Sequence, residues 1–265
     1  MQPTARQKLA DLLITSRREA RQIQLLAADL VPATQAEGYA INALVAQGLG
    51  WTPLGWKIAA TTPEMQRRLR TTEPIYGRTF AKFAATSPAL LAHADLLDPI
   101  VECEFFFRLG RDLPPRATLY SRDEIVDAVR TVHAGIEIAE CRFPLDALPP
   151  VPAILADGAA SGRYVIGDAF DDWRRQNFAD MRVRLSVNGR VRREGFGRDV
   201  MADPINALLW LANARSAFGD GLTSGALIST GTATGMLLAR PGDAMHAAFG
   251  DHAEVDVTFD TLDAQ

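Results

Sequence analysis

The sequence predicts an α+β fold, and three observations carry that prediction. Leu9, Leu12, Leu13, Ile23, Leu26 and Leu30 recur at helical spacing, so the first 70 residues read as largely helical. The remainder mixes period-two strand patterns with short helix-start signals. That order lacks the regular strand–helix alternation of a doubly wound sheet. At 265 residues and 48% hydrophobic content the chain has material for a sizeable core. We divide it into a helical N-terminal region, 1–72, and a β-rich domain, 73–265.

Taken in order, "TQAE" at 34–37 is a capping box, Thr34 with Glu37, opening a helix through Tyr39, Ile41, Leu44 and Val45. "GWKIAATT" at 55–62 is a short apolar strand, and "TPEM" at 62–65 starts a helix with Thr62 as N-cap and Pro63 at the first helical position. Ser87-Pro88 and Asp203-Pro204 each predict a helix start, and "SRDE" at 121–124 is a second capping box. His133 falls at a predicted helix end, with a structural role. In "MRVRLSVNGRVRREG", Met181, Val183, Leu185 and Val187 alternate with polar residues before Asn188-Gly189, the signature of a two-residue hairpin turn. "GALISTGTA" and "AEVDVTF" near the end read as strands.

A formal charge of -4 and a pI near 5.6 leave no electrostatic footprint for nucleic acid. The N-terminal stretch is charged and periodic without a signal-peptide core, and no run is apolar enough to span a bilayer, so we expect a cytoplasmic protein with no membrane partner. The two cysteines, Cys103 and Cys141, are expected to be reduced.

The chemistry-bearing residues begin at "VECEFFFRLG", 101–110. Read as a strand, Val101, Cys103, Phe105 and Phe107 share a core face, leaving Glu102 and Glu104 together on the other with Phe106. A solvent face is the ordinary reading of such a pair. "AGIEIAECRF" at 134–143 repeats the pattern, with Glu137 opposite in face to Ile136 and Ile138. Three glutamates on two apolar strands also make the oxygen ligand set of a hard divalent cation such as Mg²⁺, and no His/Cys spacing suggests zinc. Lys57 lies in the short apolar strand; on the surface it would snorkel, and buried it would need an anion. "ADGAASGRYVIGD" at 156–168 and "STGTATG" at 229–235 are small-residue loops that can approach an anion closely, although ordinary turns use the same residues.

The ordered set "GYAI", "GWKIAATT", "EPIYGRTF", "VECEFFFRLGRDL", "GIEIAECRF", "ADGAASGRYVIGD", "DPINALLWLAN" and "STGTATG…RPGD" resembles the fumarylacetoacetate hydrolase superfamily, in its 2-keto-4-pentenoate hydratase branch, from about Gly38 to Phe259. The resemblance implies a mixed β-sandwich or roll flanked by helices, with the β-rich domain catalytic. It implies Mg²⁺ or Mn²⁺ held by Glu102, Glu104 and Glu137, with Lys57, Glu137 and Ser161 in catalysis. Near the cation the pKa of Lys57 would be lowered. The implied function is metal-dependent hydration of a small-molecule 2-oxo-4-enoic acid from aromatic meta-cleavage catabolism. The implied assembly is a homo-oligomer, with a partner enzyme of the pathway as a further associate.

Two departures bear on the reaction. The hydratases commonly carry an acidic residue just after the "YG" segment, where this chain has Ala81 and Lys82. Their loop typically reads D-N-A-S-S-G, and here Gly158 and Ala160 replace the amide and the first serine. A 4-oxalocrotonate-type decarboxylase and a divergent non-catalytic subunit are therefore the alternatives. Hydrolysis is disfavoured, because "IEIAECRF" replaces the hydrolases' more polar strand.

Overall fold

The computed structural model describes residues 1–261, opening with α1 (Pro3–Arg18). Ala20, in left-handed backbone at φ 47°, follows the end of that helix. Ile23, Leu26 and Leu30, predicted helical from their spacing, therefore lie in irregular chain except for a 3₁₀ turn at Ala28–Leu30. Their apolar side chains serve packing instead: Ile23 and Leu26 lie against the α1 core, and the Ile23 N–H donates to the Arg142 carbonyl at 2.8 Å.

Next come α2 (Gln35–Leu49) and β1 (Pro53–Ala59). Thr34 caps α2 as predicted, but the box is half formed: the Glu37 carboxylate takes the Ala33 N–H at 2.9 Å. Then follow α3 (Pro63–Leu69), capped by Thr62, β2 (Ile75–Phe80), β3 (Ala84–Thr86), β4 (Ala89–Leu91) and β5 (Ile100–Leu109). The Ser121 capping box opens α4 (Arg122–Ala128), which runs straight into β6 (Val129–Ala139). His133 thus sits inside a strand and not at a helix end, because Val129, Thr131 and Val132 favour extended chain immediately after Ala128.

The remaining elements are α5 (Val151–Ala156), β7 (Arg163–Ala169), β8 (Arg182–Val187), β9 (Arg190–Phe196), α6 (Pro204–Ala217), β10 (Leu227–Ser229), β11 (Leu237–Leu238), β12 (Ala244–Phe249) and β13 (Ala253–Phe259). The predicted hairpin is β8–β9, with Asn188 and Gly189 at φ 51° and 77° as the turn requires. Asp203 caps α6 through the Ile205 N–H. Ser87-Pro88 starts no helix. It is a cis junction between β3 and β4, which pair in parallel with β7 and β13 and so belong to different sheets.

The architecture is mixed α+β. One sheet runs β2-β1-β10-β5-β6-β7-β3 with β11 paired to β5, and the other runs β4-β13-β12-β8-β9. The main core fills the space between them, and helices flank it. Val101, Cys103, Phe105 and Phe107 are fully buried on the inner face of β5, as the alternation predicts. Phe105 joins the two layers, its ring 5.1 Å from Phe249 and 5.3 Å from Phe178. A second core lies among α1, α2 and α5. Both cysteines are free and buried, and burial pushes each thiol up to about 12. No helix among the described residues is long and apolar enough to cross a membrane.

Phe105→Ala removes the ring that packs against both layers. We expect a loss of about 3–5 kcal/mol of unfolding free energy by urea denaturation; a loss comparable to that of a surface variant would mean that the two layers hold together without it.

Candidate metal centre

Strand register gathers the predicted residues onto one face of the larger sheet. Lys57 on β1 is paired with Ser229 on β10, and Ser229 with Phe106 on β5. Glu102 is paired with Glu137 on β6, and Glu137 with Tyr164 on β7. Paired residues share a face, and Glu102, Glu104 and Phe106 share theirs by alternation. A flat sheet would hold β1 and β6, three spacings apart, at about 14 Å. Yet Lys57 Nζ lies 2.9 Å from Glu137 Oε1, so the sheet curls into a half-barrel with this face concave.

Oxygens of Glu102, Glu104 and Glu137 lie within 4.8 Å of one another. Glu104 and Glu137 are buried and Glu102 is half-buried. Glu104 Oε2 accepts the Gly231 N–H at 2.8 Å and the Ser229 hydroxyl, which also lies 3.1 Å from Glu137 Oε2. Glu104 Oε1 is buried with no hydrogen-bond partner. Tyr164 donates to Glu137 Oε1 at 3.3 Å and stands 3.0 Å from Ser161 Oγ. Ser161 therefore reaches the carboxylates only through Tyr164. Gly231 must be glycine, since its φ is 97° and a Cβ would lie 2.6 Å from Thr61.

The small-residue loop closes the other side. Gly158, Ala159 and Ala160 are successive left-handed residues at φ 77°, 54° and 59°. That unusual backbone turns the Ala159 carbonyl onto Lys57 Nζ at 3.0 Å. Behind the loop, Asp157 pairs with Arg17 of α1 and with Arg142, each at 3.1 Å, while Arg142 Nη2 donates to the Ser161 carbonyl at 2.8 Å. All these side chains are buried. Ser229, Tyr164, Asp157, Arg142 and Arg17 were not singled out by the sequence reading. The loops carrying Ser229 and Asp157 were recognised, but their small residues do not say what they touch.

A family model described as fumarylacetoacetate (FAA) hydrolase C-terminal matches residues 59–264. The chain belongs to the fumarylacetoacetate hydrolase superfamily. Within that superfamily it falls in the 2-keto-4-pentenoate hydratase branch. It is 28% identical over 264 residues to a 2-keto-4-pentenoate hydratase of Paraburkholderia xenovorans, covering 98% of this chain and 97% of that one. It is 30% identical over 265 residues to the TodF product hydratase of Pseudomonas putida, covering 95% and 94%. A solved 4-oxalocrotonate decarboxylase from Pseudomonas putida G7, complexed with magnesium and adipate, matches with a TM-score of 0.90 at 20% identity over 98% of both chains, which establishes a common fold.

Ala81 follows β2, and Lys82 is turned away onto the Trp51 ring, 4.1 Å from its centroid. In the small-residue loop, Gly158 packs against Gly77 so tightly that a Cβ on Gly77 would fall 1.9 Å from the Gly158 carbonyl oxygen.

The residues present fit a hard divalent cation. Three carboxylates face one ammonium, which leaves two negative charges, and one buried oxygen has no protein partner. Without a cation, burial presses protons onto the cluster. Burial, reinforced by Glu137, raises Glu102 to about 7, and burial with both neighbouring carboxylates raises Glu104. Burial alone would lower Lys57, but Glu137 and Glu102 outweigh it and the ammonium is raised. The lowered value expected from sequence is therefore reversed, because the carboxylates facing Lys57 favour its charged form more than burial disfavours it.

Carboxylates raised on folding bind more protons in the native than in the unfolded chain. Metal-free stability therefore falls as pH rises from the ordinary glutamate range near 4.5 toward about 7. A cation competes with those protons, so saturating Mg²⁺ should raise the melting temperature more at about pH 8 than at about pH 5.5. Equal increments by scanning calorimetry would show that the carboxylates are already ionised throughout. Separately, Asp157→Asn strands two buried guanidinium groups, and we expect it to cost about 3–5 kcal/mol in urea unfolding. A loss under about 1 kcal/mol would mean that the arginines find other partners.

Proposed function

We propose that this protein is a divalent-metal-dependent hydratase that adds water to a 2-oxo-4-enoic acid of the 2-hydroxypenta-2,4-dienoate type. The observation that carries the reading is the buried Lys57–Glu137 pair beside Glu102 and Glu104 on one concave face. Relatives that cover nearly the whole chain and are named as hydratases support it. Glu102, Glu104 and Glu137 would hold Mg²⁺ or Mn²⁺. When bound, the ion supplies Lewis-acid stabilisation of the oxyanion that develops at C2 of a 2-oxo acid.

The chain's own groups account for the proton movements. Lys57 Nζ, kept protonated by the carboxylates, carries the proton to be delivered to the terminal carbon of the dienol. That transfer puts the remaining double bond in conjugation with the ketone and makes C4 electrophilic. The proton lost from the 2-hydroxyl replaces the one that Lys57 delivers. Glu137 Oε1, fixed from two sides by Lys57 and Tyr164, is placed to take a proton from the water that adds at C4 and to return it to C3, which closes the proton count. The Ala159 carbonyl holds the ammonium in position between transfers. Such a protein would work as a homo-oligomer on a small-molecule substrate.

One observation favours a second reading. Ala81 and Lys82 follow β2, where the resemblance leads one to expect an acid, and decarboxylation of a 4-oxalocrotonate-type acid uses the same enolate stabilisation without added water.

The test is turnover of both acids with Mg²⁺. Hydration predicts loss of the conjugated chromophore of 2-hydroxypenta-2,4-dienoate and formation of 4-hydroxy-2-oxopentanoate, with little carbon dioxide from 2-oxo-3-hexenedioate. Rapid carbon dioxide release without hydration would establish the decarboxylase. In the active direction, Lys57→Met should lower kcat by about 10²–10⁴-fold while Mn²⁺ binding by calorimetry stays close to the parent. Glu104→Gln should lose that binding, and parental turnover by Lys57→Met would remove the lysine from the chemistry.

A further inference from the structure

We propose that the cavity between α2 and the convex face of β1–β2 is a second binding site, for a planar monocarboxylate with an aromatic or conjugated body. Trp56 and Lys57 are consecutive on β1 and point to opposite faces. Lys57 serves the carboxylate cluster. Trp56 faces a separate cavity of about 420 Å³, inside the range of about 300–1,000 Å³ in which small organic ligands bind.

The charges there are arranged for an anion. Two guanidinium groups lie over the Trp56 ring, Arg78 at 4.2 Å and Arg215 at 4.1 Å from its centroid. Arg215 is only 6% exposed, and its Nε is buried without a hydrogen-bond partner. It pairs with Asp220 at the rim and reaches the Tyr76 hydroxyl at 3.4 Å. Arg78 has no ion-pair or side-chain hydrogen-bond partner among the described residues. Two cations and one anion leave a single positive charge, which matches a monocarboxylate. The Trp56 ring covers one face of the Arg78 guanidinium and leaves its N–H edge for a bidentate contact with a carboxylate. Burial and the neighbouring Arg215 press Arg78 below its ordinary value, a cost that an anion against its N–H edge would relieve.

The apolar part of the cavity is shaped for a flat body. Tyr39 and Tyr76 stack at 4.2 Å with planes 10° apart, and Phe218, about half exposed at 52%, stands edge-on to Tyr39 at 5.5 Å. Ala40 and Ala43 on α2 line the opposite wall, where larger side chains would fill the space. An aromatic guest fits such walls in offset or edge-to-face contact. The site is independent of the metal cluster, and so is its test.

Benzoate is the probe, titrated calorimetrically into the full-length protein with EDTA present. We expect saturable binding, with neutral benzamide and non-planar cyclohexanecarboxylate each weaker by about tenfold or more. Arg78→Ala should weaken benzoate by about tenfold or more, whereas Glu104→Gln, in the other site, should change it by less than about twofold. The absence of saturable benzoate binding to the parent protein overturns the proposal without recourse to any variant. So does equal binding of benzamide, or binding that disappears in Glu104→Gln and survives in Arg78→Ala, since the carboxylate would then be in the metal cluster.

Discussion

Lys57 Nζ and Glu137 Oε1 meet in the interior, with Glu104 buried and Glu102 half-buried beside them, and most of the remaining geometry follows from making that contact possible. Charged groups out of water need partners at short range. Here the partners come from β1 and β6, which a flat sheet would hold apart, so the sheet must curl. Curling the sheet concentrates the carboxylates on the concave side and leaves the convex side of β1–β2 for Trp56, Tyr76 and Arg78. It also leaves Glu104 Oε1 buried beside two further carboxylates with no donor, an arrangement that suits a hard cation.

The N-terminal helices are tied to this site through charge as well as packing. Asp157 sits between Arg17 of α1 and Arg142 just beyond β6, and Arg142 also holds the Ser161 carbonyl. Burial, with Arg142 nearby, lowers Arg17 to about 10, so the clamp needs Asp157 to keep both guanidinium groups compensated. Its effect is to fix both ends of the loop 157–161. Between those ends the backbone takes three left-handed conformations and presents the Ala159 carbonyl to Lys57. A loop of that strain persists because its surroundings leave it no alternative.

How much of this was legible follows from what periodicity measures. Alternation reports which face a residue occupies, so the core face of β5 and the shared face of Glu102 and Glu104 were readable from "VECEFFF". The resemblance joined Lys57 and Glu137 to them. Periodicity is silent on which strands become neighbours, and Ser229, Tyr164 and Gly231 enter through long-range register. The buried Arg17 lies in a helix whose other arginines are exposed or half-exposed, and nothing in the spacing marks it out. Local signals failed where tertiary pairing overrode them. Pro88 read as a helix start but joins two strands of different sheets, and His133 read as a helix end although β6 begins as soon as α4 stops.

The register of β1 is the point at which both faces of the sheet are decided together. A slip by one residue would exchange Trp56 and Lys57, burying an indole among carboxylates and an ammonium among arginines. What forbids the slip is steric. Lys57 is paired with Gly77, and that position on β2 lies so close to the Gly158 carbonyl that even a methyl group would fall within 1.9 Å. Moving β2 by one residue in either direction would put Tyr76 or Arg78 there, and neither fits. On its other edge β1 is bound to β10 with Lys57 opposite Ser229, which is itself bonded to Glu104. The strand is therefore held from both sides by contacts that belong to the carboxylate cluster, and the placement of Trp56 on the far face is a consequence of the same pairing.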